Sequence, residues 1–118
     1  MNIVVVDDEK IILTAVTRVL SKSGHEVHAF SSCENVLQSI QTIDPGFIFL
    51  DVKMPGYSGL DLLKEIRSKG IKAKVVMMSG YTTPEIIEAA KDLEVLTFLK
   101  KPFDNIYDIL KVVEDNTR

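Results

Sequence analysis

The sequence predicts an α/β fold: a doubly wound, five-stranded parallel sheet with helices on both faces. Three observations predict it. Continuous apolar runs at residues 3–6, 47–50 and 75–78 suit strands covered on both sides, as parallel strands are. Stripes of apolar residues at helical spacing alternate with those runs. Two more strand-like segments, residues 26–30 (EVHAF) and 95–100 (VLTFLK), are mixed in polarity and fit the two edges, which gives the strand order 2-1-3-4-5.

The elements follow in turn. After the first strand, Ile12, Val16, Val19 and Leu20 form the stripe of a first helix. In the second strand Val27 and Ala29 share one face, and Ser31 opens a second helix with Glu34 completing a capping box. The third strand is followed by Ser58-Gly59 and a helix whose Leu62, Leu63 and Ile66 face inward. Thr83 caps the fourth helix with Pro84 at its first position, and Ile86, Ala89, Ala90 and Leu93 make its stripe. The last helix carries Ile106, Ile109, Leu110 and Val113. Right-handed crossovers distribute such helices over both faces.

The chain has 118 residues, 46% of them hydrophobic and 26% charged, which is one domain (residues 1–118) with a real core. A net charge of -3 argues against direct nucleic-acid binding, which needs a basic face. The longest apolar runs fall well short of a membrane span, so no insertion is expected. Met1-Asn2 runs straight into a strand, leaving no room for a signal peptide, and Cys33 is the sole cysteine. A reducing cytoplasm is the expected location.

The chemistry collects at one end of the sheet. Asp7 and Asp8 follow the first strand and Asp51 ends the third. In the order given these strands are neighbours, and ligands of such sheets bind at that switch point. Three carboxylates there repel one another, and a hard cation such as Mg²⁺ is the economical compensation. Ser79 ends the fourth strand, and Lys101 follows the fifth, just before Pro102. A metal site, a fixed ammonium and a hydroxyl together suit a phosphoryl group. Asp51 is the best nucleophile, since a carboxylate can attack phosphorus to give an acyl phosphate.

The chain resembles the receiver domains of two-component response regulators, a flavodoxin-like family that includes chemotaxis regulators. The matching pieces are VVVDDE (residues 4–9), FLDVKMPGYSGLDLL (49–63), MMSGY (77–81) and FLKKPF (98–103), in order and with fitting spacing. The resemblance implies that Asp51 is the phospho-acceptor. It implies that Asp8 and Asp51 bind Mg²⁺ directly with the backbone carbonyl of Lys53, while Asp7 acts through water. Ser79 matches the switch hydroxyl, Lys101 the lysine that pairs with a phosphoryl oxygen, and Phe98 the aromatic switch position. It also implies a cis Lys101-Pro102 bond. The donor would be a sensor histidine kinase or a phosphotransfer protein. An output domain or a homodimer would use the face made by the fourth helix, fifth strand and fifth helix, near which Ile87 and Tyr107 are exposed apolar candidates. Lys53 and Tyr81 flank the expected line of attack on the phosphoryl group, and their bulk should restrict water and lengthen the phosphorylated lifetime.

Plainer readings weigh against some of these residues. Asp7 and Asp8 alone would be a strand-end turn, and only Asp51 and Lys101 raise them above that. Phe98 on a half-buried strand reads equally as plain core or as switch. His25 and His28 read as surface histidines, and Cys33 as a small helix residue without redox work. The same fold could serve as a phospho-independent binding module, but such degenerate receivers lose the acceptor, the acidic pair or the lysine. An aspartyl phosphohydrolase commonly has a second aspartate two residues after its nucleophile, where this chain has Lys53. The expectation is therefore a signalling receiver that catalyses only its own phosphoryl transfer and a slow self-dephosphorylation. Leu93-Glu94-Val95 replaces the small-residue turn usual before the fifth strand, which leaves the loop after the fourth helix open.

Overall fold

The computed structural model describes residues 1–54, 57–80 and 82–117. Strands and helices alternate throughout: β1 (Asn2–Val6), α1 (Lys10–Lys22), β2 (Glu26–Phe30), α2 (Val36–Ile43), β3 (Phe47–Asp51), α3 (Gly59–Ser68), β4 (Lys74–Ser79), α4 (Pro84–Asp92), β5 (Thr97–Lys100) and α5 (Asp108–Asp115). The five strands pair in parallel in the order β2-β1-β3-β4-β5, as the sequence predicts.

The apolar runs make the three central strands because both their faces are covered. Val4, Val6, Ile48, Leu50, Val75 and Met77 point to one side, where Val36 and Ile40 of α2 and Leu62, Leu63 and Ile66 of α3 meet them. Ile3, Val5, Phe47, Phe49, Val76 and Met78 point to the other, against Val16 and Leu20 of α1 and Ile109 and Val113 of α5. Alternation along a strand thus feeds two cores at once. Each fully buried aliphatic or Met side chain contributes about 1.5–3 kcal/mol of apolar transfer free energy, so the sheet's centre is rigid and its strand ends are fixed in place.

Some local expectations change. The helix expected from Ser31 begins at Val36. Ser32 Oγ accepts from the Glu34 amide at 3.3 Å in a short turn, and Asn35 takes a left-handed φ of 64°. Asn tolerates that conformation and so ends the turn before the helix starts. Cys33 therefore lies in this loop, half-buried against the core, instead of in a helix. Ala29 is exposed while Val27 is half-buried, because the edge strand is covered over only part of its length. Ile106 sits in the turn before α5. Ile87 is half-buried and not exposed, since successive helical residues are only about 100° apart and it stays near the inner edge beside Ile86. Tyr107 is 61% exposed. His25 precedes β2 and lies 3.3 Å from the Met1 amine, and His28 lies 3.3 Å from Asn2 Oδ1, so both are half-buried and engaged.

The helix starts are well explained. Ser58 Oγ accepts from the Asp61 amide at 3.1 Å, and Thr83 Oγ1 accepts from the Ile86 amide at 3.2 Å with Pro84 first in the helix. The loop after α4 also has a clear basis. Glu94 takes a left-handed φ of 59°. Arg67, near the end of α3, holds the loop by donating to the carbonyls of Leu93 (2.8 Å) and Glu94 (3.3 Å), and to those of Ile71 (2.8 Å) and Ala73 (2.9 Å). One guanidinium thus joins the ends of α3 and α4 to the start of β4. Arg67→Gln should lower the unfolding free energy by about 2 kcal/mol, seen as a lower urea midpoint with an unchanged slope. An unchanged midpoint would reject the clasp.

Candidate functional site

Backbone pairing positions every member of the site. The Asp7 amide donates to Phe30 O at 3.0 Å, which extends the β1–β2 ladder by one residue. Asp51 closes β3 opposite Met78, and the Val52 amide donates to Met78 O at 2.9 Å. The Lys101 amide donates to Ser79 O at 2.8 Å, which ties the ends of β4 and β5. The Lys101-Pro102 bond is cis, as the sequence reading anticipates. Gly59 matters here: a Cβ on it would fall 1.9 Å from the carbonyl oxygen of Asp51. Only glycine lets the start of α3 lie this close to the end of β3.

The side chains converge at the carboxyl edge of the sheet, most of them buried. Asp7 is 0% exposed, Asp51 4%, Ser79 6% and Lys101 8%. Oxygens of Asp7, Asp8 and Asp51 lie within 4.8 Å of one another, and among the described residues they are the group fit to hold a metal ion. Lys101 Nζ lies 2.9 Å from Asp7 Oδ2 and 3.2 Å from Asp51 Oδ2. The Lys53 amide donates to Asp51 Oδ1 at 3.3 Å, so the loop after β3 folds back over the acceptor. A cavity of about 370 Å³ opens onto Asp51, Lys53, Ser79 and Lys101. A second, of about 310 Å³, lies between Ser79 and Phe98. Phe98 is half-buried and packs against the α2–α3 core. Tyr81 lies outside the described residues.

Glu9 is the member the sequence reading missed. Its Oε1 is 2.7 Å from Lys101 Nζ, and its own amide donates to Asp7 Oδ1 at 2.8 Å. Its position directly after Asp7-Asp8 was the available signal. Three carboxylates therefore contact one ammonium, and Asp8 adds a fourth negative charge beside Asp7 and Asp51. Burial, and then the charge of Asp7, push the Asp51 carboxyl up to about 6, against the opposing pull of Lys101. Burial disfavours the Lys101 charge, but hydrogen bonds to Glu9 and Asp7 and the charges of Asp7 and Asp51 outweigh it, so its pKa lies above the ordinary lysine value. Cys33 is pushed up to about 11 by burial and then by Asp51, so its thiol is not reactive at neutral pH.

An acidic trio at the switch point of a 2-1-3-4-5 sheet, with a buried lysine across from it, is the arrangement the sequence motifs imply. Residues 3–114 match the response regulator receiver domain family. The chain belongs to that family. Among relatives, the transcriptional regulatory protein FixJ of Azorhizobium caulinodans is 38% identical over 86% of this chain. That match covers 48% of FixJ, so the chain spans about half the length of that relative. Sporulation initiation phosphotransferase F of Bacillus subtilis is 29% identical, over 87% of this chain and 83% of its own. The solved structure of the chemotaxis protein CheY4 of Vibrio cholerae superposes with a TM-score of 0.88 at 27% identity, over 97% of this chain and 96% of that one. The chain is thus a receiver domain of two-component signalling, with the flavodoxin-like fold of chemotaxis regulators and a phosphorylation-dependent signalling role. Among the described residues no helix is long and apolar enough to cross a membrane.

The raised Asp51 pKa has a consequence for stability. Unfolded aspartate titrates near 3.9, so between about pH 4 and 6 the folded receiver binds the extra proton. Stability from this group therefore falls as pH rises through that window and stays lower above it. In metal-free solution Asp51→Asn should be more stable than wild type at pH 7.5 by up to about 3 kcal/mol, and the two should converge near pH 4. Urea unfolding across pH 4–8 reads this directly, and parallel curves would refute it.

Proposed function

We propose that this receiver accepts a phosphoryl group on Asp51 in a Mg²⁺-dependent reaction and repacks its α4–β5–α5 face to control a partner. The observation that carries the proposal is the buried Asp51 carboxylate, 3.2 Å from the Lys101 ammonium and within 4.8 Å of the other two acidic ligand groups. The cation would be held by Asp8, Asp51 and the Lys53 carbonyl, with Asp7 acting through water. Bound there, Mg²⁺ supplies positive charge to the acidic trio and to the oxygens of the incoming group. The donor set fits a hard cation, since every candidate ligand atom is oxygen.

The chain's own residues do the rest. An Asp51 oxygen attacks phosphorus, and the bond from phosphorus to the donor's leaving atom breaks. Lys101 turns one N–H to a phosphoryl oxygen. Ser79, at the end of β4, turns its hydroxyl toward another. That turn draws the loop ahead of α4 inward, and Phe98 follows into the 310 Å³ space beside Ser79. A sensor histidine kinase or a phosphotransfer protein is the donor. The output is an attached domain or a second copy, meeting the face that carries Tyr107. The receiver catalyses its own phosphorylation and slow dephosphorylation only, acts in the cytoplasm, and spans residues 1–118 as one domain.

Incubation with Mg²⁺ and a small phosphodonor should add one phosphoryl mass to wild type and none to Asp51→Asn by intact-mass analysis. An equal adduct on both moves the acceptor elsewhere. Once phosphorylated, Lys53→Asn and Tyr81→Ala should each lose the group several-fold faster than wild type, because each admits the hydrolytic water. Unchanged decay in both would end that part of the proposal.

A further inference from the structure

An ammonium has three N–H donors, and Lys101 has three carboxylate acceptors: Glu9 at 2.7 Å, Asp7 at 2.9 Å and Asp51 at 3.2 Å. Its bonding is saturated before any substrate arrives. The three acceptors are not equivalent. Asp7 is fully buried, and its other oxygen is held by the Glu9 amide, so it cannot swing away. Asp51 is the group that reacts. Glu9 makes the shortest contact, yet its side chain is 59% exposed, at the mouth of the cavity that opens onto Asp51. It alone of the three can rotate into water at small cost.

A phosphoryl group entering that cavity therefore meets a carboxylate at the mouth, and its oxygens compete with that carboxylate for the same ammonium. We propose that Glu9 is a specificity-determining counter-ion gate, which holds Lys101 in the resting protein and disfavours small phosphodonors in proportion to their negative charge. The inference rests on Asp51 being the acceptor. With acetyl phosphate the Asp51 oxygen forms the new P–O bond, and the acetate leaves with the electron pair of the old one. Lys101 passes one N–H from Glu9 to a phosphoryl oxygen, and Glu9 turns to solvent. A dianionic donor is penalised most. A donor whose phosphoryl group sits on a protonated nitrogen carries less net negative charge and is penalised less. That ordering favours transfer from a phosphohistidine over adventitious phosphorylation by small acyl phosphates.

The test is the initial rate of Asp51 phosphorylation at saturating Mg²⁺, followed by intact mass, for wild type, Glu9→Gln and Asp51→Asn. The donors are acetyl phosphate and phosphoramidate, which carries one negative charge less near pH 7. Gln keeps an oxygen for Lys101 and the length of the side chain, and urea midpoints check that the variant folds. Glu9→Gln should raise kcat/KM for acetyl phosphate about three- to tenfold at low ionic strength, as expected for two charges repelling one across roughly 6 Å of water. The gain should lie mainly in KM, be smaller, about two- to threefold, with phosphoramidate, and shrink in about 0.5 M salt. A loss of rate, an equal gain with both donors, or a gain indifferent to salt overturns the gate while leaving the acceptor intact. An equal adduct on Asp51→Asn overturns the acceptor, and with it the gate.

Discussion

Excess negative charge at the carboxyl edge of β1 and β3 is the constraint on which the rest of this receiver depends. Asp7, Glu9 and Asp51 share a single ammonium, that of Lys101, and Asp8 adds a further charge beside them. Buried charges are tolerated when they are paired, and breaking one partner of such a set is costly. Here the pairing is incomplete by construction. The raised Asp51 pKa expresses the same deficit, since burial and the neighbouring Asp7 both work against ionisation. A fold gains nothing in stability from such a cluster. In the proposed function it is a socket whose missing positive charge would come from a bound cation, with the exposed Glu9 at its entrance.

The sheet makes that socket possible because it holds Asp7 and Asp51 in place. Each sits on or just beyond the last residue of a strand whose interior is dry on both faces. Packed interiors resist displacement, so the strand ends are held to the register of the ladders. Asp7 is locked to β2, the residue after Asp51 to β4, and Lys101 to the end of β4. The close approach of α3 at Gly59 presses the same strand end from the other side. Repulsion that would be relieved by a small shift in a loop is retained here.

What the sequence made legible follows from the kind of physics involved. Central strands and their order could be read because burial on both faces leaves continuous apolar runs, and the acidic residues stood at the ends of those runs. The start of α2 was misread because a Ser-x-x-Glu pattern is satisfied by a turn as well as by a capping box, and only the left-handed Asn35 decides between them. Glu9 was missed because an ion pair to Lys101 joins opposite ends of the chain. Arg67 was invisible for a different reason. Its partners are backbone carbonyls, which every residue has, so no side-chain pattern marks them. The loop left open after α4 was settled by that unseen clasp.

The clasp also bears on how a charge event at Asp51 could reach the surface. The segment before α4 leaves the site at Ser79, whose carbonyl already takes the Lys101 amide. The far end of α4 is bound through Leu93 and Glu94 to Arg67, on a helix packed into the core. Its near end depends on a cap, Thr83 Oγ1 to the Ile86 amide, next to a cavity bounded by Ser79, Thr82 and Phe98. A pull originating at Ser79 therefore acts on a lever fixed at its distant end. Rotation about Leu93-Glu94 costs less than translation of the whole helix, because translation would break the two charge-assisted hydrogen bonds from Arg67 to Leu93 and Glu94, each worth about 1.5–3 kcal/mol. In the proposed switch the surface that would change most is the first turn of α4 with the adjoining part of β5, beside the cavity that Phe98 lines.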